Sequence, residues 1–354
     1  MGSIRTILAL SVVFGHAGAI VFTGGQLAVQ LFYVISGYLM SLIILGKSYN
    51  TIKHFYFNRF LRLFPVYWVV ALITLFVYFF CSTESSINFF NAYSELGSRS
   101  IWLFLTNIFL IGQDWIMFTG VTDGIFKFTT NFRDSEVQVW HGLLVPQAWT
   151  LGVELSFYAI APFILKNWRY WITILIFSII LRVYLVYIGI GTKDPFTYRF
   201  FPLELALFLF GVSAHQIVKP IYAKYNILDN LKIIKFSTFF IMILVLCFHL
   251  IPIHIYIKTL ILLSIFTLSL PLLASFQLQN RFDNNIGNLS YPIYICHWIV
   301  IDVLKLFFNR EIFFQNLLFF FSVVSITILF AFLLEKLVNK KIDILRKHIR
   351  RQSR

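Results

Sequence analysis

The sequence predicts an all-α fold, a polytopic transmembrane helical bundle of about ten spanning helices with one further short helix that re-enters the membrane or lies at its interface. Three observations predict it. The 354 residues are 59% apolar and only 12% charged, with a mean hydropathy of +0.81, so the chain lacks the polar surface a soluble globule needs. The apolar residues, among them 42 Phe and 17 Tyr, fall in long uninterrupted runs. Lys and Arg gather between those runs and in the tail, which is the signature of membrane topology.

In chain order the candidate spans are residues 7–23, 27–46, 63–82, 149–166, 170–190, 199–217, 236–252, 257–276, 289–308 and 314–337. Each is close to the roughly 20 residues that cross about 30 Å of hydrocarbon at about 1.5 Å per residue. The run 101–112 is about half that length, hence an interfacial or re-entrant helix. No linker or internal repeat interrupts the pattern, which predicts one membrane domain over residues 1–338 and a basic cytoplasmic tail over 339–354. Cys81, Cys247 and Cys296 stand singly in apolar runs, a spacing that suits packing and neither a metal site nor a disulfide framework.

Orientation follows from the charges. The stretch Lys336–Arg354 carries eight Lys/Arg against the single acid Asp343 and is predicted to be cytoplasmic. With ten spans the N-terminus shares that side, as do the loops holding Lys47, Lys53, Arg59 and Arg62, and Lys219, Lys224, Lys232 and Lys235. The segment Thr83–Ala148 is then external, and in it the acids Glu84, Glu95, Asp114, Asp123, Asp134 and Glu136 outnumber Arg99, Lys127 and Arg133. The net charge of +14 is thus accounted for by topology and contact with membrane lipids, and nucleic acid is not an expected partner.

Ionisable groups at membrane depth are costly, and they are the first candidates for function. Arg5 and His16 are 11 residues apart, about three turns plus 20°, so they share one helix face about 16 Å apart. A polar passage from a cytoplasmic Arg5 to a His16 near the midplane explains that stripe; a histidine bonded only to a neighbouring helix is the alternative. The following Ala17-Gly18-Ala19 also fits a signal-peptide cleavage site, although the apolar run continues beyond it.

Arg59 and Arg62, spaced i, i+3, put two guanidinium forks on one face, a pattern that suits a phosphate-rich anion or, more simply, a cytoplasmic helix end. Glu154 lies about one and a half turns inside the helix opening at 149, with Tyr158 one turn further on the same face. A carboxylate there orients a histidine, accepts a proton, or pairs structurally with Arg199 or Arg182. In the ninth span Tyr291 is expected towards the cytoplasm, His297 near the midplane and Asp302 nearer the outer face, with Tyr294 and Trp298 as packing.

Taken in order, Arg5 and His16, the FYVISGYLMS helix, the RxxR of Arg59 and Arg62, the WTLGVE of Trp149–Glu154 and the SYPIYxxH ending at His297 resemble the membrane acyltransferase type 3 family, which includes O-acetyltransferases of bacterial cell-surface glycans. The resemblance covers essentially the whole chain. It departs from the family in starting almost at the first motif, in having Leu155 where a second acid is common, and in carrying no appended hydrolase-like domain, so no role of such a domain is expected here.

The resemblance implies transfer of an acyl group, usually acetyl, from cytoplasmic acyl-CoA to a hydroxyl of a surface glycan or lipid-linked sugar in the bacterial cytoplasmic membrane. Acyl-CoA would be a donor substrate, with no bound cofactor and no metal. Arg5, Arg59 and Arg62 would hold the donor, and His16, tuned by Glu154, would act as general base or as acyl nucleophile. Tyr158, Tyr291 and His297 would contact substrate or support the site, and Ser36, Tyr38 and Ser290 are candidate oxyanion donors. A flippase or transporter of an envelope lipid or polysaccharide, which needs no acyl donor, is the rival class. A non-catalytic scaffold would leave the Arg5–His16 stripe unexplained.

Overall fold

A computed structural model describes residues 1–19, 22–46, 49, 51–308 and 313–352. Lys47 and Arg354, both used above for orientation, lie outside the described residues. The helices are α1 (Gly2–His16), α2 (Gly24–Leu45), α3 (Ile52–Phe80), α4 (Glu84–Leu96), α5 (Ser100–Phe109), α6 (Gln113–Ile116), α7 (Trp149–Ile164), α8 (Trp168–Tyr187), α9 (Phe201–Ser213), α10 (Lys219–Lys224), α11 (Leu231–Leu246), α12 (Ile255–Gln279), α13 (Arg281–Leu304), α14 (Phe313–Leu334) and α15 (Lys340–Gln352).

Every predicted apolar run falls on a helix, yet the count of ten spans does not carry over. Among the described residues six helices are long and apolar enough to cross a membrane: Gly24–Leu45, Ile52–Phe80, Trp168–Tyr187, Phe201–Lys224, Ile255–Gln279 and Phe314–Ile349. The reason is length and polarity. With 15 residues in α1 and 16 each in α7 and α11, those helices reach only about 24 Å. The 24 residues of α13 include Arg281, Asp283, His297 and Asp302. The short run at 101–112 is the ten-residue α5.

The all-α expectation also missed a hairpin in the long segment between α3 and α7. Strands β1 (Thr119–Thr122) and β2 (Ile125–Phe128) pair antiparallel, Thr122 opposite Ile125. Asp123 and Gly124 turn between them at φ 53° and 67°, the left-handed pair that a two-residue hairpin requires.

Two helix pairs approach at backbone distance. A Cβ on Gly37 of α2 would lie 1.8 Å from the Phe208 carbonyl oxygen of α9, and one on Gly211 of α9 would lie 1.9 Å from that of Val34 in α2. At the second pair, a Cβ on Gly287 of α13 would lie 2.6 Å from Gly2 Cα of α1. Small residues at such crossings let helices pack without side chains between them. The start of α1 is held there by Asp283, which accepts from the Gly2 and Ser3 amides, both at 2.8 Å.

Candidate functional site

Because α1 runs along α13, both ionisable residues of α1 meet that helix. Arg5 Nη2 donates to Ser290 Oγ at 2.9 Å, and His16 Nδ1 lies 2.8 Å from His297 Nε2. The two rings are near parallel, 12° between planes and 5.0 Å between centroids, with Trp298 edge-on to His16 at 5.3 Å. α1 stops at His16 because Gly18 takes φ 93°, and the Ala19 amide closes back on the Phe14 carbonyl at 2.9 Å. The Ala17-Gly18-Ala19 stretch is therefore this helix's C-cap, and it leaves His16 exposed at the helix end.

The contacts assign the protons. His297 is fully buried, and its Nδ1 lies 2.7 Å from the Tyr294 carbonyl oxygen, which can only accept. A neutral His297 therefore carries its hydrogen on Nδ1 and offers a bare Nε2. That nitrogen accepts from His16 Nδ1–H, which leaves the lone pair of His16 on the exposed Nε2. Tyr294 is itself fixed. Its hydroxyl donates to the Gln147 carbonyl and pairs with Thr150 Oγ1, both at 2.9 Å, and Gln147 Nε2 donates to the Ile295 carbonyl at 2.7 Å.

Below this pair a cavity of about 850 Å³, open mouth included, is lined by Arg5, Arg59, Arg62, Ser36, Glu154, Tyr158, Ser290 and Tyr291. It extends to Phe32 and to Tyr294, whose ring lies 5.9 Å from that of His297. Three guanidiniums face it against one carboxylate, a surplus of positive charge that suits an anionic ligand. Arg59 is buried with its guanidinium 6.0 Å from the Tyr158 ring. Its Nη2 donates to Asn58 Oδ1 at 2.9 Å, while its Nε finds no acceptor among the described residues. Tyr291 donates to the Leu63 carbonyl at 2.5 Å.

Glu154 belongs to this cavity and is not the partner of His16. Its Oε1 accepts from Ser36 Oγ at 2.5 Å and from the Tyr158 hydroxyl. The arginines considered as its structural partners are engaged elsewhere, Arg182 with Glu204 at 2.5 Å and Arg199 with Asp194 at 2.7 Å. Of the three hydroxyls considered as oxyanion donors, two are engaged, Ser36 with Glu154 and Ser290 with Arg5 and the Gly287 carbonyl, while the Tyr38 ring lies edge-on to His215.

The sequence reading missed Asn58 and Arg346. Arg346 projects from α15 in the tail, pairs with Asp343, and donates to the same Asn58 Oδ1 that holds Arg59, at 3.3 Å and 3.4 Å. The signal for Asn58 was its place beside Arg59; for Arg346 the signal was the heptad-like Ile342, Arg346 and Ile349 on one helix face.

Outside the spans, Asp114 of α6 is buried against α7. A Cβ on Gly152 would lie 2.6 Å from its Oδ1, which has no hydrogen-bond partner among the described residues. Burial pushes this carboxyl up to about 7 despite accepting from the Asp114 and Trp115 amides.

The sequence profile described as "Acyltransferase domain" matches residues 2–336. An uncharacterized protein of Aquifex aeolicus is 24% identical over 212 residues, 58% of this chain and 91% of that protein. The peptidoglycan O-acetyltransferase OatA of Listeria monocytogenes is 25% identical over 176 residues, 48% of this chain but only 24% of that longer protein. No solved structure matches the chain.

Proposed function

Since the chain belongs to the acyltransferase domain family over residues 2–336, and is a multi-pass membrane protein, we propose that it is an O-acyltransferase of the cell envelope. It moves an acyl group, acetyl above all, from acyl-CoA on the cytoplasmic side to a hydroxyl of an envelope polysaccharide or lipid-linked sugar. The membrane is the bacterial cytoplasmic membrane, with both termini on the donor side. The peptidoglycan O-acetyltransferase relative supports the acceptor class.

The observation that carries the reading is the His16–His297 pair standing above an arginine-lined cavity. The phosphates of the donor lie on Arg59 and Arg62, and the thioester arm runs past Arg5 towards Tyr294. His16 Nε2 takes the proton of the acceptor hydroxyl as its oxygen attacks the thioester carbonyl carbon. Collapse of the tetrahedral intermediate breaks the C–S bond, and the His16 imidazolium returns the proton to the departing sulfur. The products are the sugar ester and free CoA thiol. Glu154, held by Ser36 and Tyr158, sets the charge balance of the donor cavity.

The test uses membranes containing the wild type or His16→Ala, supplied with labelled acetyl-CoA, and reads ester-linked label on envelope glycans. The wild type is expected to label them and His16→Ala to lose about 10²- to 10⁴-fold in rate, the usual contribution of a general base. Undiminished labelling by the mutant would remove His16 from the chemistry.

A further inference from the structure

A second cavity lies across Trp298 from His16. It is an open cleft of about 550 Å³, mouth included. Its walls come from four places in the chain: Tyr78 near the end of α3, Glu84, Ser85 and Asn88 of α4, Trp140 and His141 before α7, and Trp298 of α13 with Lys305 just past its end. Trp298 is the shared wall, edge-on to His16 at 5.3 Å on one side and to Trp140 at 6.4 Å on the other.

We propose that this cavity is the acceptor subsite, where a pyranose ring of the glycan packs on Trp140 and Trp298 and presents a neighbouring hydroxyl to His16. The assignment rests on the acyltransfer function proposed above and locates its second substrate.

Three properties point to a neutral carbohydrate. First, the aromatic faces are rigid: Trp140 Nε1 donates to Gln138 Oε1 at 2.8 Å, and the His141 ring lies 4.2 Å from the Trp140 ring. Fixed aromatic faces suit the apolar C–H faces of a sugar ring. Second, polar groups there await partners. The Asn88 carboxamide and the His141 ring nitrogens make no hydrogen bond among the described residues, whereas sugar hydroxyls both donate and accept. An alkyl chain would leave these groups unmatched at a desolvation cost.

Third, the site is near neutral. Glu84 and Lys305 face each other at 3.7 Å, and burial holds the His141 imidazole below the ordinary histidine value, with Glu84 opposing. The phosphates of a CoA donor find their charge complement in the other cavity. The scaffold is also tied down: Asp302 of α13 accepts from Thr83 Oγ1 and Ser85 Oγ, both at 2.7 Å, so α4 and α13 hold the walls together.

The experiment uses the full chain in lipid nanodiscs, with acetyl-CoA as donor and the tetrasaccharide of N-acetylglucosamine as acceptor. Asn88→Ala and Trp140→Phe are compared with wild type, and binding of the tetrasaccharide is followed separately by tryptophan fluorescence in His16→Ala. Asn88→Ala is expected to raise the acceptor KM about tenfold, with a smaller rise for Trp140→Phe, while the KM for acetyl-CoA stays unchanged. Wild-type acceptor KM in both folded variants overturns the subsite, as does tetrasaccharide binding that survives Asn88→Ala unweakened. If the wild type transfers no acetyl to carbohydrate yet binds the tetrasaccharide in an Asn88-dependent way, the acyltransfer reading fails and the sugar site stands.

Discussion

In the mechanism proposed above His297 only orients the base, so replacing it isolates the effect of orientation. In the wild type its two nitrogens are committed at 2.8 Å to His16 and at 2.7 Å to the Tyr294 carbonyl, and the pair keeps the lone pair of His16 on Nε2. His297→Phe fills the buried volume with no acceptor for the His16 Nδ1 hydrogen. One neutral hydrogen bond contributes about 0.5–1.5 kcal/mol, and loss of its support for the His16 imidazolium adds a similar amount, so kcat is expected to fall about 5- to 150-fold. The acetyl-CoA KM is expected to hold, because Arg59 and Arg62 line a different part of the molecule. His297→Gln supplies an amide oxygen that accepts from His16 Nδ1–H and is expected to recover part of the rate, which a purely structural role for His297 does not predict. The assay is single-turnover acetyl transfer by purified protein, with thermal melts to confirm folding. A folded His297→Phe with wild-type kcat, or equal rates for Phe and Gln, would refute the tautomer argument.

The Asp114 carboxyl sits at about 7 in the fold against an ordinary value of 3.8, so the native state takes up a proton on folding. The stability it permits is complete below the unfolded value and drains as pH rises towards 7, by about 4 kcal/mol in all. Asp114→Asn is expected to flatten melting temperatures between pH 4 and 8 and to stabilise at pH 8; an unchanged pH profile contradicts this. Arg59→Gln with Arg62→Gln is expected to raise the KM for acetyl-CoA at least about tenfold, and Arg346→Gln less, since it reaches the cavity only through Asn58. An unchanged donor KM in the double variant removes the phosphate clamp. Gly37→Ala pushes a methyl group onto the Phe208 carbonyl and is expected to cost about 1–3 kcal/mol or more, read as a lowered melting temperature in detergent. A melting temperature equal to wild type would show that α2 and α9 part easily.

The helices were legible because their apolar runs report directly on a hydrocarbon solvent, and every predicted run sits on one. The number of spans was not, because hydropathy windows extend through Gly18 and other caps where the backbone already turns. The alignment of Arg5 with His16 was likewise readable, since a fixed 100° per residue puts both on one stripe, and α13 is what that stripe meets.

What the sequence by itself determined is therefore local: membrane class, helix positions, the family motifs and the inventory of costly polar residues. Partnership was decided only by tertiary packing. Glu154 and His297 were equally available to His16 from spacing alone, and the close crossing of α1 on α13 selected His297 while Ser36 and Tyr158 took Glu154. The tail read as a topological charge cluster, yet its return onto α3 placed Arg346 beside Asn58. Such pairings join residues up to 288 positions apart, and no periodicity within a helix encodes which face of another helix will lie against it.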